Sequence, residues 1–437
     1  MVRARDTSVG RALRMAGMGA SVAGSYLPYL LQHAVLDERT RRARLTDAHG
    51  RAARHMRDTM MSLRGPAMKL GQALSLQSGV LSEQTLAELA KLQHGAPAMH
   101  PSLMRAQFAA SLGRPPEEVF AEFDERPFAA ASLGQVHRAK TTGGELVAVK
   151  VQYPAIREVI QNDFAWFRAI SKPAQVTGHL AKSVIDELEA QILAETDYRQ
   201  EAANLEFFSR GLAPLSHVTI PRVHRDLSTE QVLTMSLVPG RDLDDFLGRR
   251  PSRRTRDLIG ERLLELFYFQ VLRLHAFHAD PHLGNYLFGD DGSIALIDFG
   301  CVKRLRPEFV TNLRRLYLYC GSKSSSHFQS LLDKRYAMFG TKLRPTARRA
   351  LTEFGDRFYR KVYPPEVEAD DVPFDFGASP VVKDYLRESG RLVLSKGALS
   401  EHLLLARVEV GLYDVLHRLR ARVHTSRIVR SFLDGMT

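Results

Sequence analysis

The 437-residue sequence predicts an α+β fold: helices first, a strand-bearing middle region, and a mainly helical remainder containing one further hairpin. Three observations predict it. "SLGQVHRAK-TTGG-ELVAVKVQ" is two valine-bearing runs joined by a Thr-Thr-Gly-Gly turn, the pattern of a β-hairpin. "NYLF-GDDG-SIALIDFG" repeats that pattern late in the chain, with Gly-Asp-Asp-Gly as its loop. Elsewhere the apolar residues recur mostly at helical spacing.

The elements follow in order. Residues 1–118 read as helical, with eight arginines between Arg39 and Arg64, an apolar-periodic stretch from Met60 to Leu92, and "GRPPEE" as a linker. Residues 119–240 carry the first hairpin. On its second strand Val147, Val149 and Val151 share one face, and Leu146, Ala148 and Lys150 the other. A long helix is expected from Ser183 to about Arg210, then a loop around Pro221 and a short strand, Gln231 to Val238, closed by Pro239-Gly240. Residues 241–437 are helical apart from the second hairpin.

Composition bounds the function. Apolar residues make up 44% and charged residues 25%, as in folded globular proteins. A net charge of +12 favours anionic partners without choosing among them. Basic residues without interleaved aromatics are a weak nucleic-acid signal, so no nucleic acid is expected. Cys301 and Cys320 lack metal-ligand spacing and are too few for a disulfide scaffold, which suits a reducing, cytoplasmic location. From Met15 to Leu36 there is no charged residue, yet Gly17, Gly19, Gly24 and Pro28 interrupt the run. A spanning helix wants about 20 strongly apolar residues. A short packed or membrane-grazing helix is therefore expected there, in preference to a span or a secretory signal.

The chemistry concentrates in "HADPHLGN" (residues 278–285) and in the Asp-Phe-Gly that begins thirteen residues after Asn285. Asn285 opens the first strand of the second hairpin and Asp298 closes the second, so a tight loop returns them to the same end. Asp280 leads into that end. Two carboxylates and an amide are oxygen donors suited to Mg²⁺, and protein kinases use the same spacing. A zinc or iron site from His278, Asp280 and His282 is the rival, and it leaves Asn285, the hairpin and Asp298 unexplained. Both histidines are expected to be structural. Lys150 closes Val-Ala-Val-Lys, placed to meet nucleotide phosphates, with Ala148 under a base. A helical glutamate should hold that lysine, and Glu187, Glu189, Glu195, Asp197 and Glu201 are the candidates. Ala129, Ala130, Ala131 and Ser132 are expected in a turn where a kinase carries its glycine-rich loop. Lys69, Gly71 and Gln72 form Lys-x-Gly-Gln, which by itself reads as helix surface.

Together these motifs resemble the UbiB-like (AarF-type) atypical kinases over roughly residues 10 to 310. The matching pieces are Lys69-x-Gly71-Gln72, the alanine-rich loop, Lys150, Glu195-x-Asp197, Glu201, His278 to Asn285, and Asp298. The resemblance implies a two-lobed, protein-kinase-like fold whose N-terminal extension carries Lys-x-Gly-Gln over the active site, against the Glu-x-Asp carboxylates. It also implies that Glu201 pairs with Lys150. Glu195 and Asp197 lie about 200° apart on an ideal helix, so either the helix deviates at Thr196 or the two acids serve different partners. Leu283 stands where the family usually has Pro, and Ser236 where it has an acid. No Ala-Pro-Glu follows Asp-Phe-Gly at a suitable distance, which argues against ordinary protein-substrate docking.

The expected function is therefore a Mg²⁺-dependent ATP-binding atypical kinase, chiefly an ATPase, supporting ubiquinone or other isoprenoid-lipid metabolism. ATP or ADP and Mg²⁺ are its cofactors; an isoprenoid or quinone-like lipid and a peripheral membrane surface are further partners. Lys150 and Glu201 serve the phosphates, Asn285 and Asp298 the metal, and Asp280 the acceptor hydroxyl or water. The alternatives are a phosphotransferase acting on a protein or small-molecule hydroxyl, and a nucleotide-switched scaffold.

Overall fold

A computed structural model describes residues 8–32, 36–63, 88, 99–131, 133–176, 182–280, 283–318, 330–331, 345–364, 371–380, 382, 384 and 401–433. Residue contacts divide the chain into two compact units: residues 1–200 with 224–236, and residues 201–223 with 237–437.

The first unit begins with α1 (Ser8–Gln32) and α2 (Glu38–Leu63), which pack against each other. Arginines tie the pair: Arg14 Nη1 donates to Ser62 O at 2.9 Å and Arg51 Nη2 to Ser25 O at 3.2 Å. Arg11 reaches from α1 to Asp163, its Nε donating to Oδ1 at 3.2 Å. Burial pushes the Asp163 carboxyl up, and Arg11 opposes that shift. The uncharged stretch expected to pack or graze a membrane is the body of α1, and Leu13, Leu27, Leu30 and Leu31 are exposed on it. Among the described residues no helix is long and apolar enough to cross a membrane.

After α3 (Pro101–Leu112) and the single turn α4 (Pro116–Val119) comes an antiparallel sheet. Its strands are β1 (Glu122–Phe123), β2 (Ala129–Ala131), β3 (Gly134–Lys140), β4 (Leu146–Gln152) and β6 (Val232–Ser236), in the order β1-β3-β4-β6 with β2 also on β3. The first expected hairpin is β3–β4, with Val136 opposite Lys150. Val147, Val149 and Val151 join Met104, Phe108 and Phe120 in one apolar core, so the two-residue alternation sets which face α3 covers. The alanine-rich segment departs from expectation. Ala129–Ala131 is a strand, with Ala130 opposite Gln135, and not itself the turn. Three alanines can hold an edge strand because their methyl groups fit a pleated ladder without needing a partner pocket.

The helix expected from Ser183 to about Arg210 is two helices, α6 (Lys182–Ala194) and α7 (Tyr198–Gly211). Side chains cause the break. Thr196 Oγ1 donates back to Leu193 O at 2.6 Å, and the Asp197 carboxylate accepts from Arg199 N at 2.9 Å, starting α7. Gln152 Nε2 then donates to Thr196 O at 2.9 Å, satisfying a carbonyl that the broken helix leaves open. Of the two options above, the helix does deviate at Thr196. Before it lies α5 (Ile156–Val176), which the sequence reading did not assign although buried Ile156, Ile160, Phe164 and Phe167 recur near helical spacing.

In the second unit, α8 (Leu243–Gly248) precedes α9 (Arg253–Tyr268), whose last turn widens into a π-helical segment, Phe269–Arg273. The second hairpin is shorter than expected: β8 (Tyr286–Phe288) and β9 (Ile294–Leu296), with Asn285 ending a 3₁₀ turn ahead of β8. Its loop needs Gly292, whose φ is 81°. Strand β5 (Val218–Thr219) adds in parallel to β9, and β7 (Ala276–His278) pairs with β10 (Val302–Arg304). Helix α10 (Pro307–Leu318), α11 (Pro345–Val362) and α12 (Glu401–Leu419) complete the described helical part, with β11 (Phe374–Asp375) on β12 (Arg422–Val423) and α13 (Thr425–Ser431) after it.

Candidate active site

The first unit contributes Lys150. Val136 and Leu233 flank it in the neighbouring strands, it is 5% exposed, and its Nζ lies over the Tyr198 ring at 5.8 Å. A buried ammonium needs charge or π partners; Tyr198 supplies part of that. Ala148, two residues back, faces the same way and is also buried. Gly134 opens the strand beside them. A Cβ there would sit 2.3 Å from Val151 O and 3.0 Å from Tyr198 Oη, so only glycine fits. Glu195 and Asp197 stand either side of the buried Thr196, outside both helices, and Asp197 is the cap of α7. Ser132 and Lys69-x-Gly71-Gln72 lie outside the described residues, as does His282 of the rival metal set.

In the second unit the late motif converges. Asn285 Nδ2 donates to Asp280 Oδ2 at 3.2 Å, and Ile297 N donates to Asn285 O at 3.1 Å, which brings the residue before Asp298 against Asn285. Asp298 Oδ1 accepts from Gly300 N at 2.9 Å. The donor set is carboxylate and amide oxygen, nearly buried at Asn285, and that chemistry fits Mg²⁺. Among the described residues no group of three or more His, Cys, Asp or Glu side chains could hold a metal.

Helix α7 steadies Phe299 from the side. Asn204 Nδ2 donates to Phe299 O at 3.0 Å, Phe299 N donates to Glu201 Oε1 at 3.4 Å, and the Phe208 ring packs on Phe299 with centroids 4.7 Å apart. Glu201 therefore holds the Asp-Phe-Gly backbone, whatever else it binds. Asn204 was not singled out in the sequence, although it lies one turn beyond Glu201.

Arg407, on α12, is the other residue the sequence reading missed. Burial pushes its guanidinium down from its usual value, while the charges of Asp280 and then Cys301 pull it back up. The motif has Ala279 before Asp280, and Arg407 supplies a cation to that carboxylate from more than a hundred residues away. Nothing local in the sequence signals it. Tyr286 is held well above its ordinary value, by burial first and by Asp280 second.

Residues 91–331 match the ABC1 atypical kinase-like domain. The chain is 34% identical over 285 residues to "Protein ACTIVITY OF BC1 COMPLEX KINASE 7, chloroplastic" of Arabidopsis thaliana, covering 64% of this chain and 41% of that protein. It is 33% identical over 269 residues to "Atypical kinase COQ8B, mitochondrial" of Rattus norvegicus, covering 61% of this chain and 50% of the relative. It thus spans about half the length of the curated relatives it matches. Among solved structures, Rv3197 of Mycobacterium tuberculosis, determined with erythromycin, superposes with a TM-score of 0.59 at 26% identity, covering 85% of this chain and 93% of that one. The α+β architecture is protein-kinase-like, and the chain belongs to the ABC1 atypical kinase-like family.

Proposed function

We propose that this chain is a Mg²⁺-dependent ATP-binding atypical kinase that works chiefly as an ATPase in support of ubiquinone or other isoprenoid-lipid metabolism. The observation that carries the reading is the Asp280–Asn285 hydrogen bond together with the Asn285–Ile297 backbone tie, which gathers acceptor and metal residues at one end of a hairpin. The lipid part follows from the resemblance to the UbiB-like atypical kinases.

Each residue has a role that its surroundings suit. Lys150, desolvated and rigid on β4, grips the α/β-phosphates, and Glu201 holds it. Ala129 to Ser132 lie along the phosphates through backbone N–H groups, and Ala148 lies under the base. Asn285 and Asp298 hold Mg²⁺, which supplies charge neutralisation on the phosphate oxygens. Asp280, oriented by Asn285 and opposed by Arg407, accepts the proton of the attacking hydroxyl or water. Positioning and charge neutralisation provide most of the acceleration. Lys69, Gly71 and Gln72, with Glu195 and Asp197, restrict the acceptor side. Residues 1–118, 119–240 and 241–437 form the extension, the smaller lobe and the larger lobe. The protein is cytoplasmic, and the exposed leucines of α1 provide its peripheral membrane contact.

The test is ATP turnover by the full chain with and without Mg²⁺, with an isoprenoid quinone in vesicles, alongside transfer of labelled phosphate to a peptide and to a hydroxyl acceptor. Lipid-stimulated hydrolysis without acceptor labelling is expected. Labelling of the acceptor would replace this reading with a phosphotransferase.

A further inference from the structure

A lysine ammonium is a point charge on a flexible four-carbon stem. The place of Lys150 on β4 therefore fixes where that stem starts, and not where the charge ends. Val136 and Leu233 stand opposite it on the neighbouring strands, and the residue is 5% exposed. What meets the charge inside this unit is an aromatic ring. The Lys150 Nζ stands 5.8 Å from the Tyr198 centroid, inside the range over which a ring face attracts a cation. Tyr198 is itself 4% exposed, so little water screens that attraction.

Tyr198 is held on every side. Its backbone N–H donates to Glu230 O at 3.0 Å, just ahead of β6. Two residues earlier, Thr196 O accepts from Gln152 Nε2 at 2.9 Å. Gln152 stands opposite Gly134 in the β3–β4 ladder, and Gly134 stands opposite Ala131 in the β2–β3 ladder. The circuit closes at the Tyr198 hydroxyl, because a Cβ on Gly134 would lie 3.0 Å from it. One side chain thus joins the lysine to the end of the alanine strand.

We propose that Tyr198 is a positioning residue: its ring face fixes the Lys150 ammonium, and its hydroxyl ties that place to Gly134 and the end of β2. Both are then set before any phosphate arrives, which lowers the ordering cost that binding otherwise carries. An apolar side chain of similar size could fill the space but could not hold the charge, since the attraction comes from the π face. The phosphate role of Lys150 rests on the ATP-binding reading above; the Tyr198–Lys150 contact does not.

The full chain is labelled with [ε-¹³C]lysine, and the Lys150 signal is assigned by its loss in Lys150→Met. The ring current of Tyr198 should hold its Hε protons upfield of the other lysines. Tyr198→Phe keeps the ring and should leave the signal near its parent position, whereas Tyr198→Leu should return it to the ordinary lysine range. A parent signal already in that range, or one unmoved in Tyr198→Leu, would overturn the contact. Calorimetry then compares Mg²⁺–ATP with adenosine, which shares the base and lacks the phosphates. Tyr198→Leu should weaken ATP about tenfold, the scale of a desolvated cation–π contact, and adenosine by less than about twofold. Tyr198→Phe should recover most of the ATP affinity. Unchanged ATP affinity in Tyr198→Leu, equal losses for ATP and adenosine, or no recovery with Tyr198→Phe would overturn the positioning role. If Tyr198→Leu does not fold, Tyr198→Met fills the space without a ring and takes its place. A parent chain that binds no Mg²⁺–ATP would sink the ATP-binding reading instead, and the lysine signal would still decide the contact.

Discussion

Each unit of the molecule buries a histidine, and the two are treated in opposite ways. In the first unit His137 is fully buried and both ring nitrogens are used: Nδ1 donates to Asp124 O at 2.8 Å, and Gln135 Nε2 donates to Nε2 at 2.8 Å. Gln135 in turn accepts from Met99 N at 2.8 Å, and the imidazole stacks on Phe123. In the second unit His278 is just as buried, with neither nitrogen bonded among the described residues. A satisfied buried histidine is a structural pin, whereas an unsatisfied one leaves the cost of its desolvation unmet.

The surroundings repeat the contrast. Gly134 sits where backbone already occupies the space a methyl would need, whereas Gln270, His278 and Tyr286 of the second unit line a small cavity.

Five substitutions sharpen or break that comparison, the largest effect first. Asp280→Asn should lower ATP turnover by about 100-fold or more, the scale of a lost general base. Asp298→Asn should abolish Mg²⁺-dependent nucleotide binding, read by calorimetry, and unchanged binding would remove Asp298 from the site. Neither should move the midpoint of urea unfolding greatly. Next comes Gly134→Ala, which must displace Val151 O. It should destabilise by about 1–3 kcal/mol, the cost of overpacking, and a midpoint equal to the parent's would mean that the strand has slack.

The fourth is His137→Leu. Burial holds the folded-state pKa of His137 below its ordinary value. A depressed histidine contributes stability that is present above the unfolded value of about 6.5 and lost as pH falls through the folded one. The parent chain should therefore lose stability as pH falls through that window, from about 6.5 down to the folded-state value. The variant should lose less, while being weaker at neutral pH by about 1–3 kcal/mol because Gln135 and Asp124 are left unsatisfied. Parallel pH profiles would show that another group carries the acid response. The smallest effect is Gly411→Ala. Helix propensity alone should stabilise by up to about 1 kcal/mol, and a loss of stability would mean that α12 has no room for a methyl at that position.

Much of this was legible in the residues themselves. The valine alternation at 147, 149 and 151 announced both the strand and the face it buries, because side chains on a strand alternate whatever packs on them. The Gly-Asp-Asp-Gly loop likewise announced that Asn285 and the Asp298 end would return to one place. The break at Thr196 was half legible. Threonine and aspartate compete with a helix, yet whether they win depends on Gln152 arriving from β4 to take the Thr196 carbonyl.

By itself, the sequence determined which donors exist, how far apart they lie along the chain, and which side of each strand or helix they occupy. These are consequences of covalent spacing and backbone period, and they hold locally. Only the tertiary structure decided that Arg407 opposes Asp280, that Asn204 and Glu201 clasp the Phe299 backbone, and that Gly411 and His278 line one cavity. Those facts join residues up to about a hundred and thirty positions apart. No local period encodes them, because each depends on which helix faces which after the apolar stripes have found their partners.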